Sequence, residues 1–306
     1  MSAETHLEVY RRFQGTLREH PLRFLPLWRT GLRTALKQRR ALFLLYLPPL
    51  IATVILSFVV YIKFTVEGAS DQLPNEELGF QEQIARGLVL AQTEQLFGVV
   101  NLILEFTKGM GVFALLAVTW FASGLFCEDK KAGAHQLYFA RPLTRLDYAL
   151  GKFMIAATFA ALAILVPVLI ICTMAAVFSP EWSFLTEEWG VILRAVGFAL
   201  VWTVVVCSLV LLASSLASRR SFALLGVFGF VVMSTPVGGM LGDVVDPDLF
   251  ALGFFIDLDT LAQHMFGRLP ADGKIQAPAA WLAVGTLVVV SWTVIWLRLR
   301  RLEVVA

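Results

Sequence analysis

Charge is what this sequence has least of. Only 16% of its 306 residues are Asp, Glu, Lys or Arg, against about a quarter in soluble domains. A solvated surface of ordinary extent is therefore excluded. Cysteine is scarce as well. Cys127, Cys172 and Cys207 fall at a helix end and inside apolar runs, at separations that fit neither a disulfide framework nor a zinc site, so they read as small apolar residues. The four histidines, His6, His20, His135 and His264, all lie outside the apolar runs, which removes any His-based dyad or metal centre at membrane depth. No internal repeat is detectable, so an inverted-repeat carrier finds no support.

What is abundant is apolar. Hydrophobic residues make up 58% of the chain, and the mean hydropathy is +0.75. Runs of the roughly 20 residues needed to cross a bilayer cover 41–62, 109–126, 153–178, 196–217, 222–244 and 277–297. The expected fold is all-α: a polytopic membrane protein with six transmembrane helices. Residues 1–40 form an N-terminal segment, and 41–306 a single transmembrane domain. The third run is the clearest, being free of charge. The second is the weakest, because Asn101, Glu105 and Lys108 lie just before it. Pro48, Pro49, Pro167 and Pro236, the last followed by Gly238 and Gly239, should kink or interrupt the first, third and fifth spans. The first run is too long for a signal core and has no small-x-small site directly after it.

Most of the 25 Lys and Arg residues fall before the first run, between the second and third, between the fourth and fifth, and after the sixth. By the positive-inside rule those segments, and both termini, are cytoplasmic. Most acidic residues lie on the opposite side. The formal net charge of +2 thus averages two opposed surfaces and gives no ground for nucleic-acid binding.

Four segments outside the spans carry information. Residues 22–40 place Leu25, Trp28, Leu32, Ala35 and Leu36 at helical spacing, with Arg29, Arg33 and Lys37 towards another face. They predict an amphipathic helix in the inner interface, its Trp at headgroup depth. It serves either as a simple anchor or as an elbow that touches a cytoplasmic partner. The outer loop from Lys63 is acidic and should contain a surface helix. Residues 246–276, broken too often to span, should form short interfacial helices. Near the outer surface Glu105 and Lys108 are spaced to pair on one helix face, and Arg194 can snorkel towards Glu187 or Glu188. The other reading of these three charges is a path or outer gate.

The fourth segment, 124–152, is polar and compact. Glu128 and Asp129 open it, Gly133 offers a pivot, residues 134–140 have the pattern of a short helix, Arg141-Pro142 would stop it, and Thr144 is placed to cap a helix through Asp147. On spacing alone this is either an ordered polar loop or a helix–turn–helix built to receive force from outside the membrane.

The succession Gly124, Leu125, Phe126, Glu128, Asp129, Gly133, then Ala140 to Arg145, Tyr148, Gly151 and Lys152 resembles the signature of type-two ABC transporter permeases. It lies nearest to their gliding-motility and nitrous-oxide-reductase-maturation groups. In that family an acidic pair ends the second span, a Gly-Thr step opens the coupling helix, and an Arg-Pro turn leads to a Gly-Lys at the third. Here the Gly-Thr step is Gly133-Ala134, which lacks the hydroxyl. The resemblance implies a coupling-helix loop at about 127–152, in which Glu128, Asp129, Gly133, His135, Tyr138, Arg141, Pro142 and Arg145 meet a separate ABC ATPase subunit. Trp28, Arg29, Arg33 and Lys37 of the interfacial helix would lie beside it. It further implies a second permease chain, identical or paralogous, a prokaryotic inner membrane, and an exporter. The sequence contains no G-x-x-x-x-G-K-[ST] stretch, so no cofactor is expected in this chain; ATP and Mg would be held by the ATPase. The alternatives are a subunit that works mechanically on an extracytoplasmic partner, a secondary carrier, and an intramembrane enzyme. The last two lack deep charged residues.

Overall fold

A computed structural model of the chain describes residues 23–70, 98–134, 143–179, 182–268 and 275–300. Among the described residues every regular element is helical. In chain order they are α1 (Leu25–Leu36), α2 (Arg39–Ser70), α3 (Val99–Ala122), α4 (Cys127–Lys131), α5 (Arg145–Ala163), α6 (Leu165–Phe178), α7 (Ser183–Glu187), α8 (Trp189–Leu216) and α9 (Arg220–Val244). A 3-10 turn (Pro247–Leu252), α10 (Phe254–Met265) and α11 (Ala277–Arg300) complete the series. Six segments are long and apolar enough to cross a membrane: α2, α3 with α4, α5 with α6, α8, α9 and α11. The all-α, six-span fold is therefore present. The expected outer-loop helix falls outside the described residues.

Helices α3, α5 and α8 pack on one another at the centre. Small residues make this close approach feasible: Ala114, Ala117, Ala156, Ala160, Ala195 and Ala199 are all fully buried there, as expected where backbone-to-backbone packing holds spans together. By contrast α2, α9 and α11 bury little of their apolar length. They present residues such as Phe58, Leu225 and Val289 outward, the surface that hydrocarbon covers.

The prolines do not act alike. Pro48, Pro49 and Pro236 lie inside continuous helices, whereas the third span is divided at Ile164. Pro167 has no N–H for the Ala163 carbonyl one turn earlier, and its ring crowds that carbonyl. The second span also differs from expectation, since α3 begins at Val99 and takes in Asn101, Glu105 and Lys108. Those charges are admitted because Lys108 Nζ lies 2.6 Å from Glu105 Oε1 and 2.8 Å from Asp259 Oδ1, a partner on α10.

Residues 247–265 correct the expectation of helices lying on the surface. Phe254 N–H donates to Ser234 Oγ at 3.4 Å and Phe255 N–H to Thr235 Oγ1 at 3.3 Å. The Phe254 ring stands 6.1 Å from that of Trp202, whose Nε1 donates to the Gly111 carbonyl at 2.8 Å. Trp202 and Gly111 lie 13 and 12 residues from the starts of their helices, or about 20 and 18 Å along them at a 1.5 Å rise. The start of α10 therefore sits near mid-span. Its far end returns towards the surface, where the Phe266 carbonyl accepts from Arg194 Nη1 at 3.4 Å. Arg194 thus uses a free carbonyl at a helix C-terminus, and the expected pairing with Glu187 or Glu188 is not what holds it. The re-entrant path depends on Gly238, against whose Cα the backbone of Gly253 is stacked.

Asp257, on α10 and outside the six spans, is 5% exposed. Its Oδ1 has no hydrogen-bond partner among the described residues. A carboxyl so placed, on a helix whose start lies at membrane depth, is costly to ionise. Asp257→Leu should therefore be tolerated at the level of folding, which melting temperatures of the two proteins will show. A large loss of stability would contradict the assignment.

Candidate functional site

The polar segment between the second and third spans is anchored on both sides. The run Arg145–Phe178 is 34 residues long, about 51 Å at 1.5 Å per residue, whereas the hydrocarbon core is only about 30 Å thick. Because Arg145, Asp147 and Lys152 are its only charged residues, the surplus lies at its start, at the end of the bundle where α1 lies. There α4 follows α3 after a short turn. Its first N–H groups would be orphaned, but Ser214 Oγ of α8, fully buried, accepts from the Phe126 and Cys127 N–H groups at 3.0 and 3.4 Å. Ser214 was invisible to sequence reasoning: it comes from a span some ninety residues later, and only its position marks it.

The acidic pair divides into two roles. Glu128 is exposed. Asp129 turns inward, where its Oδ2 accepts from Tyr148 Oη at 2.7 Å and lies 2.6 Å from Lys152 Nζ. Lys152 is 5% exposed, with its ammonium 5.5 Å from the centroid of the Tyr148 ring. Phe126 meets that ring edge-on at 5.7 Å. A single carboxylate oxygen therefore bolts α4 to two successive turns of α5. The motif that carries the family resemblance included Tyr148 and Lys152, but only the fold gives them this work.

Gly133, expected as a pivot, has φ +66°, a left-handed conformation that L side chains seldom adopt. His135, Tyr138, Arg141 and Pro142, and most of the expected helix 134–140, lie outside the described residues. On the far side of that gap Thr144 and Asp147 form the expected capping box: the Asp147 N–H donates to Thr144 Oγ1 and the Thr144 N–H to Asp147 Oδ2, both at 3.1 Å. Arg145 is the first residue of α5.

Helix α1 exists as expected, but it is rotated and more deeply seated than an interface helix. Leu27 is buried against Gly151, and Gly31 meets Ile155 with no room for a Cβ. Trp28 Nε1 donates to Thr158 Oγ1 of α5 at 3.0 Å. Leu36, expected on the apolar face, is exposed. Two glycines let α1 lie directly on α5, a contact that hydropathy cannot register. Arg29, Arg33 and Lys37 all remain exposed. The three charges Glu105, Lys108 and Arg194 lie towards the opposite end of the bundle, well away from this site.

A six-span helical bundle with a basic helix packed beside a bolted polar loop is a multi-pass membrane protein. Residues 26–264 match the family model described as ABC-2 family transporter protein, which covers most of the chain. The protein belongs to that family, and is a multi-pass permease subunit of an ABC transporter. No curated protein matches the chain at a significant level.

Proposed function

We propose that this chain is the membrane half of an ATP-driven exporter. The observation that carries this reading is the Asp129–Tyr148–Lys152 bolt, which ties the loop to the third span beside an exposed Glu128. In this reading the loop end and both termini are cytoplasmic, in a prokaryotic inner membrane. A separate ABC ATPase docks on Glu128, Gly133, Arg145 and the intervening loop, and touches Arg29, Arg33 and Lys37 of α1. That partner binds ATP and Mg. A second permease chain, identical or paralogous, completes the transporter. Closure of the ATPase pair pushes on α4, and the bolt passes the displacement to α5 instead of letting the loop bend.

The docking is tested with Glu128→Lys. An ABC ATPase is expected in a neighbouring reading frame; it is expressed with this chain and co-purified through a tag on the permease. Reversing one exposed charge should reduce ATPase recovery on the order of tenfold, the effect of about 1.4 kcal/mol. The melting temperature of the membrane subunit should be unchanged, as for a surface substitution. Equal recovery together with equal ATP turnover would remove Glu128 from the contact. Failure of the wild-type pair to co-purify would overturn the reading itself.

A further inference from the structure

A cavity of about 250 Å³ lies at the α1 end of the bundle, between one face of α1 and the ends of α3, α4, α5 and α9. Its walls divide by chemistry. Leu27, Phe121 and Ile155 supply apolar surface, while Thr34, Glu128 and Arg220 bring a hydroxyl, an anion and a cation to the same space. Lys152 and Asp129 also reach it and pair with each other; Glu128, which faces Lys152 as well, and Arg220 are the lining charges outside that ion pair. The Arg220 guanidinium stacks 5.0 Å from the centroid of the Trp120 ring and donates through Nη2 to the Trp120 carbonyl. Its Nε is buried with no partner among the described residues. Beside Arg220 the protein exposes Trp120, Phe222 and Leu225, apolar side chains that belong against acyl chains. The cavity therefore opens at its cationic edge towards hydrocarbon, at the level where the spans leave the membrane.

We propose that this cavity binds the headgroup of a zwitterionic phospholipid of the phosphoethanolamine type. Arg220 takes the phosphate, for which a guanidinium with a spare N–H is suited. Glu128 takes the ammonium, and the acyl chains run out over Trp120 and Phe222. The volume is slightly below the range of about 300 Å³ and upwards seen for whole small-molecule pockets, which suits a headgroup whose chains stay outside. A lipid seated here joins α1, α4 and α9 and shares Glu128 with the proposed ATPase contact, so retention is first measured with no ATPase present.

The full chain is reconstituted in nanodiscs of phosphatidylethanolamine, phosphatidylglycerol or an equal mixture, released into the gas phase, and its retained lipid counted by native mass spectrometry. From the mixture the wild type should keep phosphatidylethanolamine in preference to phosphatidylglycerol. Arg220→Gln and Glu128→Gln should each lower that retention on the order of tenfold, the loss of one charge-assisted contact. Thr34→Phe, which fills the cavity from the exposed side of α1 and removes no charge, should lower it equally and serves if a charge variant does not fold. Unchanged retention in all three overturns the site. Equal retention of the two lipids removes the role of Glu128 and overturns the headgroup assignment. Soluble phosphoethanolamine should not displace the lipid at millimolar concentration; if it does, the site takes a free metabolite. If added ATPase expels the lipid completely, the cavity is a socket for a protein side chain.

Discussion

Lys152→Met should destabilise the protein by roughly 3 kcal/mol and, under the proposed coupling, disconnect ATP turnover from transport. The methylene stem is kept, so the loss is the ammonium. Without it the Asp129 carboxylate, whose side chain is 18% exposed, keeps the Tyr148 hydroxyl and loses its counter-charge. Breaking a buried pair from one side costs about 3–5 kcal/mol, mostly because the remaining charge stays desolvated; partial exposure puts this case at the lower end. The double variant Asp129→Asn with Lys152→Met leaves no stranded charge. It should recover most of the melting temperature while still failing to couple, because the bolt between α4 and α5 is gone. Thermal melting separates the first effect. ATP hydrolysis and vesicle transport by the assembled complex separate the second. Full coupling in the double variant would show that the bolt is only structural.

Gly238→Ala has the next largest effect. A Cβ there falls 2.6 Å from the Gly253 nitrogen, 2.9 Å from its Cα and 3.0 Å from the Leu252 carbonyl carbon. All three are backbone atoms, so no rotamer relieves the clash. Overpacking of this kind costs about 1–3 kcal/mol. Here it should also lift the start of α10 off Ser234 and Thr235 and weaken the Lys108–Asp259 pair. Gly239→Ala is the matched control. Its Cβ meets nothing within 4 Å, and inside a helix the change from glycine should stabilise by up to about 1 kcal/mol. Hydrogen exchange over 254–265 should rise in the first variant and not in the second; equal protection would place Gly253 elsewhere.

The spans were legible because a run of about twenty apolar residues has few other uses, and the capping of α5 was legible because Thr144 and Asp147 are local. What escaped reading was carried by contacts distant in sequence. The early start of α3 depends on Asp259, about 150 positions away, and the depth of α10 depends on a glycine in another helix. Hydropathy scores both features as polar interruptions. The rotation of α1 had the same cause, since Gly31 and Gly151 count for little on any apolar scale yet allow the closest contact. Within the loop, the motif pointed to an acidic pair. Only the fold separates Glu128, exposed at the edge of the cavity, from Asp129, which is tied to α5.

The division of the third span at Ile164 bears on how force can travel. On one side of it α5 packs against α3, α8 and α1; on the other α6 packs against α2, α8 and α3. Tyr46 Oη donates to the Phe159 carbonyl at 2.8 Å, one turn short of the joint. The span is therefore two helical rods joined end to end at Ile164, with backbone hydrogen bonds from Ile164 to Ala160 and from Val168 to Ile164 continuing across the joint. Under the proposed coupling, a thrust entering at Arg145 travels along α5 to that joint and sideways into α3 and α8. Displacement of α5 is then felt by the first span directly, through the Tyr46–Phe159 bond, as well as along the joint into α6.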